Sequence, residues 1–379
     1  MIKRSWHSCP LGQCWVVTAL AIATATSGCE KLSIPGIHIT SNKQQTEGPL
    51  QIISKNEHAE REALEAEIRD LVQKAENEQL ENRADAYRSG KARLTNSNLK
   101  LRVFYSAFLD FPVDSDDEHW TQFIQCIENW VGKKPESVTA RIALAQAYRR
   151  YAWKARGGGW ATTVTPERYR LMQQRLAVAW RALNEAKRLP QKCPAWYGAA
   201  LSLGLGTEMP RKDYDNLFAE AVTNVADYDA IYDYTAYYLL PRWYGRPGEW
   251  ESFARTMMQR NDIPDPKEIF AKIVLYLNSM GFFDSEFSSS HQSSALLKES
   301  FLALQKHYPH SLEINSVFCL ASVKMYDYRQ IREQLKLIGG RFDPSCWQSP
   351  EKFQEVVRFA ASNDAALERG YKDFLMRHP

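Results

Sequence analysis

The stretch ALEAEIRDLVQKA at residues 63–75 shows the pattern that decides the fold. Its apolar residues recur at spacings of three and four, so they share one face of a helix, with charged residues between them. They are Leu64, Ile68, Leu71, Val72 and Ala75. The same periodicity continues from about Glu57 onward, and no stretch shows the sustained alternation of strands joined by hairpin turns. The sequence therefore predicts an all-α fold.

Helix-start signals recur along the chain. Ser115, followed by Glu118, forms a capping box before an apolar-periodic run. Other starts place a polar cap before a proline in the first turn: Thr165-Pro166, Asp265-Pro266 and Ser349-Pro350. The predicted helices form pairs: 97–111 with 115–131, 136–156 with 165–189, 193–206 with 210–225, 229–242 with 247–260, 266–280 with 292–308, 311–325 with 327–339, and 349–362 with 364–377.

The spacing of these pairs predicts how they assemble. Pairs begin near residues 193, 229, 266, 311 and 349, about 36 to 45 residues apart, which is the period of two-helix repeats. A pair can bury its apolar face only by stacking on its neighbours. We therefore predict a helical-repeat α-solenoid of antiparallel helix pairs. A Ser-rich loop at 281–294 would separate a helical-repeat domain at 56–280 from C-terminal helical repeats at 295–379.

The N-terminus has the features of an export signal. A basic start at residues 3–4 precedes the mostly apolar run WVVTALAIATA at 15–25, which is short for a transmembrane helix. The run ends in TSGC at 26–29, where small residues precede a cysteine as in a bacterial lipobox. We predict that 1–28 is a lipoprotein signal peptide and that Cys29 is lipidated. A signal peptide without lipidation and an uncleaved anchor remain alternatives.

The residues after the cysteine predict a location. Residues 29–55 combine glycine, proline and polar residues without periodicity, so we expect a flexible tether. Glu30 follows the cysteine in place of the aspartate common in inner-membrane lipoproteins. Thr26 departs from the leucine usual in such boxes. We expect a lipid anchor in the bacterial cell envelope, on the outer rather than the inner membrane, facing the periplasm.

The charge balance bears on nucleic-acid binding, and the cysteine content bears on disulfide formation. Without residues 1–28 the chain has 46 basic and 45 acidic side chains, a balance that gives no footprint for nucleic acid. Beyond Cys29, four cysteines could form disulfides in three full pairings, and the compartment would permit them. Their wide spacing in helical surroundings favours buried free thiols. They are Cys126, Cys193, Cys319 and Cys346.

Three segments together resemble a known family. Residues 98–108 read NLKLRVFYSAF, residues 151–164 read YAWKARGGGWATTV, and residues 237–254 read YYLLPRWYGRPGEWESFA. Over about residues 60–260 the chain resembles the bacterial domain of unknown function 4034, a helical domain of the tetratricopeptide-like kind. The resemblance implies helices and a bacterial origin. It implies no catalytic residues, because no activity is established for the family.

Motifs of catalysis and metal binding are missing from the sequence. His307 and His310 have no adjacent third ligand, although a zinc site needs three or four. Two S-x-x-K matches, at Ser97 and Ser349, lack the companion motifs of penicillin-recognising enzymes. The glycines at 157–159 lack the lysine and hydroxyl of a phosphate-binding loop. We therefore predict no metal and no cofactor, and the sequence favours a protein that is not an enzyme.

Two turns combine arginine with tryptophan and are the candidate site. The first follows a predicted helix end and contains Trp153, Arg156 and Trp160; the second contains Arg242, Trp243 and Tyr244. Such side chains could stack on a ring or bind an anion of a ligand. The alternative is that they pack successive helices together.

The sequence leaves two hypotheses for function. The first is a non-catalytic helical-repeat scaffold, tethered to the membrane through its lipid anchor, that binds a protein or peptide in the envelope. The second is an envelope hydrolase whose active site is assembled from several helices. An open aromatic groove would favour the first, and a deep pocket with converging acids, histidine and arginine the second.

Overall fold

A computed structural model describes residues 51–52, 57–109, 116–158, 161–287, 291–347 and 349–361. The described residues confirm the all-α prediction. The helices are α1 (Glu57–Gln73), α2 (Asn77–Gly90), α3 (Lys100–Ser106), α4 (Asp117–Lys133), α5 (Val138–Arg156), α6 (Pro166–Arg188), α7 (Ala195–Gly206), α8 (Arg211–Val225), α9 (Ala230–Tyr238), α10 (Glu249–Met258), α11 (Ile269–Ser279), α12 (Phe283–Glu286), α13 (His291–His307), α14 (Leu312–Lys324), α15 (Tyr328–Ile338) and α16 (Pro350–Ala361). Two-residue strands β1 (Gln51–Ile52) and β2 (Arg341–Phe342) pair in parallel.

Helix caps agree with the sequence signals at some starts and differ at others. The Thr165 hydroxyl accepts from the backbone N–H of Arg168 at 3.4 Å, as its cap position predicts. The Ser349 hydroxyl likewise accepts from the backbone of Lys352 at 3.2 Å. The N-cap of α4, however, is Asp116 and not Ser115, which lies outside the described residues. A carboxylate at this position gains from the helix dipole as well as from the hydrogen bond.

The predicted start at Asp265 needs a second correction. Asp265 adopts a left-handed conformation with φ of +44° and makes no side-chain cap bond. It opens a 3-10 turn at Pro266–Glu268, and the α-helix begins at Ile269. The proline signal therefore marks a turn that leads into the helix instead of the first turn of the helix itself.

Contacts between helices follow chain order. Helix α5 packs along α6 and α14 along α15, as expected for consecutive partners. In addition α5 contacts α7, α7 contacts α9, α9 contacts α11, and α11 contacts α14, so alternate helices form a layer. Several aromatic side chains of the core are fully buried, and the burial of each contributes about 1.5–3 kcal/mol or more to the stability of the fold. The largest are Trp120, Trp130, Trp250, Trp347, Tyr105 and Tyr214.

Helix α7 packs against both α5 and α9 within this layer. Its sequence AWYGAALSLGLG is almost entirely buried. A Cβ added at Gly198 would lie 3.0 Å from the ring of Tyr228, and one at Gly206 would lie 3.0 Å from Leu176. These glycines therefore let the flanking side chains approach the helix closely. The cost of glycine in a helix, about 1 kcal/mol each, is offset by that packing.

Other contacts join parts of the chain that are distant in sequence. Arg93 and Arg102 bond to carboxylates of Asp229 and Asp233 at the start of α9. The Asn96 amide donates to Glu313 of α14 at 2.7 Å. In an ideal solenoid each repeat contacts only its neighbours. The segment 91–106 instead reaches across to later helices, so the solenoid arrangement stays a prediction.

The stretch expected to be a Ser-rich loop also contributes helices. Helix α12 and the first turn of α13 fall within 281–294. Glu286 of α12 pairs with Arg242 at 2.7 Å, which joins this region to the predicted helical-repeat domain at 56–280. Contacts of α11 with α13 and α14 continue across the same place.

The described residues show the state of the four remaining cysteines. Cys126, Cys193, Cys319 and Cys346 are free thiols, and the last three are buried, as the sequence favours. Burial raises the pKa of the Cys319 thiol well above its ordinary value. No described helix is both long and apolar enough to cross a membrane. Cys29 and the predicted signal peptide and tether lie outside the described residues, except for residues 51–52 of β1.

Candidate functional site: an aromatic strip with flanking arginines

The two predicted turns meet in the structure. Trp153, on the last turn of α5, and Trp243, in the turn after α9, pack edge to face with ring centroids 6.0 Å apart. Both side chains are half-buried. The sequence analysis treats these two turns as one candidate site, and this contact joins them. Trp160 lies outside the described residues.

The contact between the tryptophans continues into a longer row of rings, which we call the aromatic strip. Tyr237 packs 5.8 Å from Trp243 and 6.1 Å from Tyr276. Tyr276 in turn packs edge to face with Tyr234 at 5.7 Å. The strip therefore runs through α5, the turn at 243, α9 and α11. Its members are Trp153, Trp243, Tyr237, Tyr276 and Tyr234.

Three arginines lie over rings of the aromatic strip. The guanidinium carbon of Arg156 is 5.7 Å from the centre of the Trp153 ring. Arg149, on the same face of α5, is 5.9 Å from Tyr234, and Arg102 of α3 is 5.3 Å from Tyr276. Each distance fits a cation–π contact, worth about 0.5–2 kcal/mol depending on solvent exposure. Arg102 and Arg149 were not predicted as site residues.

Arg242 has a structural role in the second turn. Its Nε and Nη2 donate to Glu286 Oε1 at 2.9 and 2.7 Å, and its guanidinium stacks 3.9 Å from the Phe282 ring centre. Both charged side chains are mostly buried, with 16% and 12% exposure. This arrangement fits the packing alternative for Arg242, with Glu286 as its partner.

Tyr244 also packs inside the fold. Its ring stacks on Tyr238 at 4.6 Å, and its hydroxyl donates to the Leu205 carbonyl at 3.1 Å. Gly245 follows, and a Cβ there would lie 1.7 Å from the Leu239 carbonyl oxygen, so this turn requires glycine. Trp243 differs, because its indole Nε1 is buried without a hydrogen-bond partner among the described residues. Of the described members of the predicted site, Trp153, Arg156 and Trp243 remain the candidates for contact with a ligand.

A network of ion pairs adjoins the strip at α9 and α11. It balances three cations against three carboxylates: Arg93, Arg102 and Lys272 against Asp229, Asp233 and Glu268. Lys272 lies 3.0 Å from Glu268 and 3.6 Å from Asp229. His307 Nδ1 contacts Glu268 at the edge of the network. No linear motif could have shown it, because its members come from four separate parts of the chain.

The pKa values of the two aspartates at the start of α9 are shifted in opposite directions. Burial raises the pKa of Asp233 to about 6, although Arg102 opposes this. Its Oδ1 is buried without a hydrogen-bond partner among the described residues. For Asp229, burial alone would also raise the pKa, but Lys272 and Arg93 hold it below the ordinary value. The difference follows from the number of cations that each carboxylate contacts.

A shallow depression lies along α6, beside Thr207 at the end of α7. Its volume is about 480 Å³, and the Trp180 indole donates to Thr207 at 3.3 Å at its edge. Its lining residues are Gln173, Ala177, Trp180, Arg181, Asn184, Glu185, Arg188 and Thr207. Among the described residues, no group of three His, Cys, Asp or Glu side chains could hold a metal ion.

Part of this site lies in a segment that matches a known protein family. Residues 64–207 match DUF4034, a domain of unknown function. The match confirms the resemblance over these residues, whereas the prediction extended it to about residue 260. The DUF4034 segment includes Arg102, Arg149, Trp153 and Arg156, while Trp243 lies beyond it. Comparisons with curated proteins and with solved structures found no match.

Proposed function

We propose that this chain is a helical binding protein of the bacterial envelope and that the aromatic strip contacts its partner, a protein or peptide. The observation that carries the proposal is the contact between Trp153 and Trp243 beside Arg156. Aromatic residues and arginine are the side chains most enriched at the energetic centres of protein interfaces. Trp153, Trp243 and Arg156 are half-buried, so they are held in place while part of each side chain faces solvent.

The proposal includes attachment to a membrane. The basic start, the short apolar run and TSGC at 26–29 support lipidation of Cys29 after removal of residues 1–28. The lipid would hold the helical part near the outer membrane, facing the periplasm. Residues from 30 onward would then separate the lipid from β1.

One observation on the ion-pair network supports the second hypothesis, a hydrolase. Asp233 is buried and has a pKa raised to about 6, and groups perturbed in this way cluster at active sites. Every carboxylate of the network, however, contacts an arginine or lysine of the same network. Structural ion-pair networks also perturb the pKa values of their members, so the raised pKa of Asp233 does not by itself indicate an active site. We therefore favour binding over catalysis.

Affinity purification from native membranes tests the binding proposal. The tagged full-length protein is compared with Trp153→Leu, which keeps an apolar side chain but removes the indole, and with Leu337→Ala, at an exposed site on α15 away from the strip. The proposal predicts a defined partner, identified by mass spectrometry, that is retained by Leu337→Ala and lost by Trp153→Leu at unchanged helicity. Equal recovery with both variants contradicts a role for the strip.

A further inference from the structure

Two arginines converge on one end of the aromatic strip from different helices. Arg102 of α3 lies over Tyr276, and Arg149 of α5 lies over Tyr234. The two rings touch edge to face at 5.7 Å, so the arginines flank a single pair of tyrosines. The four side chains come from α3, α5, α9 and α11.

Both arginines retain unused donors. Arg149 donates through Nε to Gln146 Oε1 at 3.0 Å, and its two terminal amino groups make no hydrogen bond within the described residues. Arg102 bonds through Nη1 to Asp233, and its Nη2 and Nε have no partner in the same set. These nitrogens have no hydrogen-bond partner among the described residues, but they are not buried, so each is accessible to solvent.

The tyrosines add further donors to the same place. The hydroxyls of Tyr234 and Tyr276 make no hydrogen bond within the described part of the chain, and neither is sealed from solvent. Two guanidinium groups beside two free phenol hydroxyls suit an acceptor with several oxygens. Two cations on the same pair of rings disfavour a cationic ligand.

The local charge balance supports an anion. Asp233 offsets the charge of Arg102, while Arg149 contacts no carboxylate among the described residues. This leaves one positive charge on this group of side chains. The rest of the ion-pair network is balanced, with Arg93 and Lys272 against Asp229 and Glu268. An incoming anion therefore meets a net positive site without displacing an existing pair.

We propose that Arg102, Arg149, Tyr234 and Tyr276 form an oxyanion site, which binds a carboxylate or phosphate group of the ligand. This inference rests on the proposed function in treating that group as part of the partner bound along the strip. Guanidinium forks match the planar oxygens of a carboxylate and the tetrahedral oxygens of a phosphate. The strip next to it would then contact the apolar part of the same ligand.

Calorimetric titration of the full-length protein in detergent tests the site without a partner. The probes are inorganic phosphate and acetate, and the variants are Arg149→Gln and Tyr234→Phe. Arg181→Gln, a surface arginine of α6, is the matched control. The expected result is binding that weakens about 10- to 100-fold in Arg149→Gln, the loss typical of hydrogen bonds to a charged group, and stays unchanged in the control. Tyr234→Phe should weaken binding less.

The pattern of results separates the sources of the anion. Binding of phosphate alone assigns a phosphate group, and binding of acetate alone assigns a carboxylate. Binding of neither probe, or equal binding by the wild type and both site variants, overturns the oxyanion site. The proposed function fails separately, if purification shows no partner that depends on Trp153.

Discussion

Replacing Arg242 with glutamine tests whether this predicted site residue is structural. The guanidinium makes two hydrogen bonds to one oxygen of Glu286, and both side chains are more than four-fifths buried. Glutamine is too short to reach that carboxylate in the same geometry. Arg242→Gln therefore leaves the Glu286 charge mostly buried and without its ion-pair partner.

The expected loss follows from burial and stacking. Breaking a fully buried ion pair by removing one partner costs about 3–5 kcal/mol. Because this pair keeps some contact with water, we expect a smaller loss, about 2 kcal/mol. Removing the guanidinium from the Phe282 ring, 3.9 Å away, adds about 0.5–1 kcal/mol. The free energy of unfolding should thus fall by about 2.5–3 kcal/mol.

Urea denaturation followed by circular dichroism measures this loss. Arg329→Gln is the control, because Arg329 is 87% exposed and pairs with Glu333 at 3.1 Å on the surface of α15. That change should cost at most about 0.5 kcal/mol. A double-mutant cycle with Glu286→Gln should show a coupling above about 1 kcal/mol. Equal small losses in Arg242→Gln and Arg329→Gln would refute the structural role and restore Arg242 as a candidate binding residue.

Three further predictions concern the anchor, the network and the central helix. Cys29→Ser should move the protein from the membrane to the soluble fraction of disrupted cells; unchanged membrane binding would contradict lipidation. Carbon NMR should show the Asp233 carboxyl titrating near pH 6. Because this pKa is raised, the free energy of unfolding should increase as pH falls from about 6 to 4. The stability that the lowered pKa of Asp229 contributes should be lost only in stronger acid. A midpoint for Asp233 below 4 would contradict its burial. Gly206→Leu should destabilise the fold by at least about 1–3 kcal/mol, since a Cβ there would already lie 3.0 Å from Leu176. Unchanged stability in urea would contradict close packing around α7.

The helices could be predicted from the sequence because local patterns determine them. The predicted helices at 136–156 and 165–189 correspond closely to α5 and α6. Caps such as Thr165 were recognisable because their hydrogen bonds span three residues. Errors arose where two neighbouring residues could both cap, as at Asp116, or where a proline signal led into a 3-10 turn, as at Asp265.

The candidate site was only partly predictable, for a physical reason. Trp153 and Trp243 stood out because each lies in a turn with unusual local composition. Arg102 and Arg149 did not, because an arginine within an amphipathic helix looks like an ordinary surface residue. Their placement over Tyr276 and Tyr234 depends on how four helices pack. The same holds for the pairing of Arg93 with Asp229, which no spacing in the sequence indicates.

Site-specific photo-cross-linking in living cells tests the binding role of the aromatic strip most directly. A photoreactive phenylalanine analogue replaces Trp153 on the strip, Arg181 at the depression of α6, or Leu337 on α15 in the full-length, membrane-attached protein. We expect a cross-linked protein or peptide from position 153, lost when Arg149→Gln is added, and none from positions 181 or 337. Cross-links from 181 or 337 with none from 153 would contradict it.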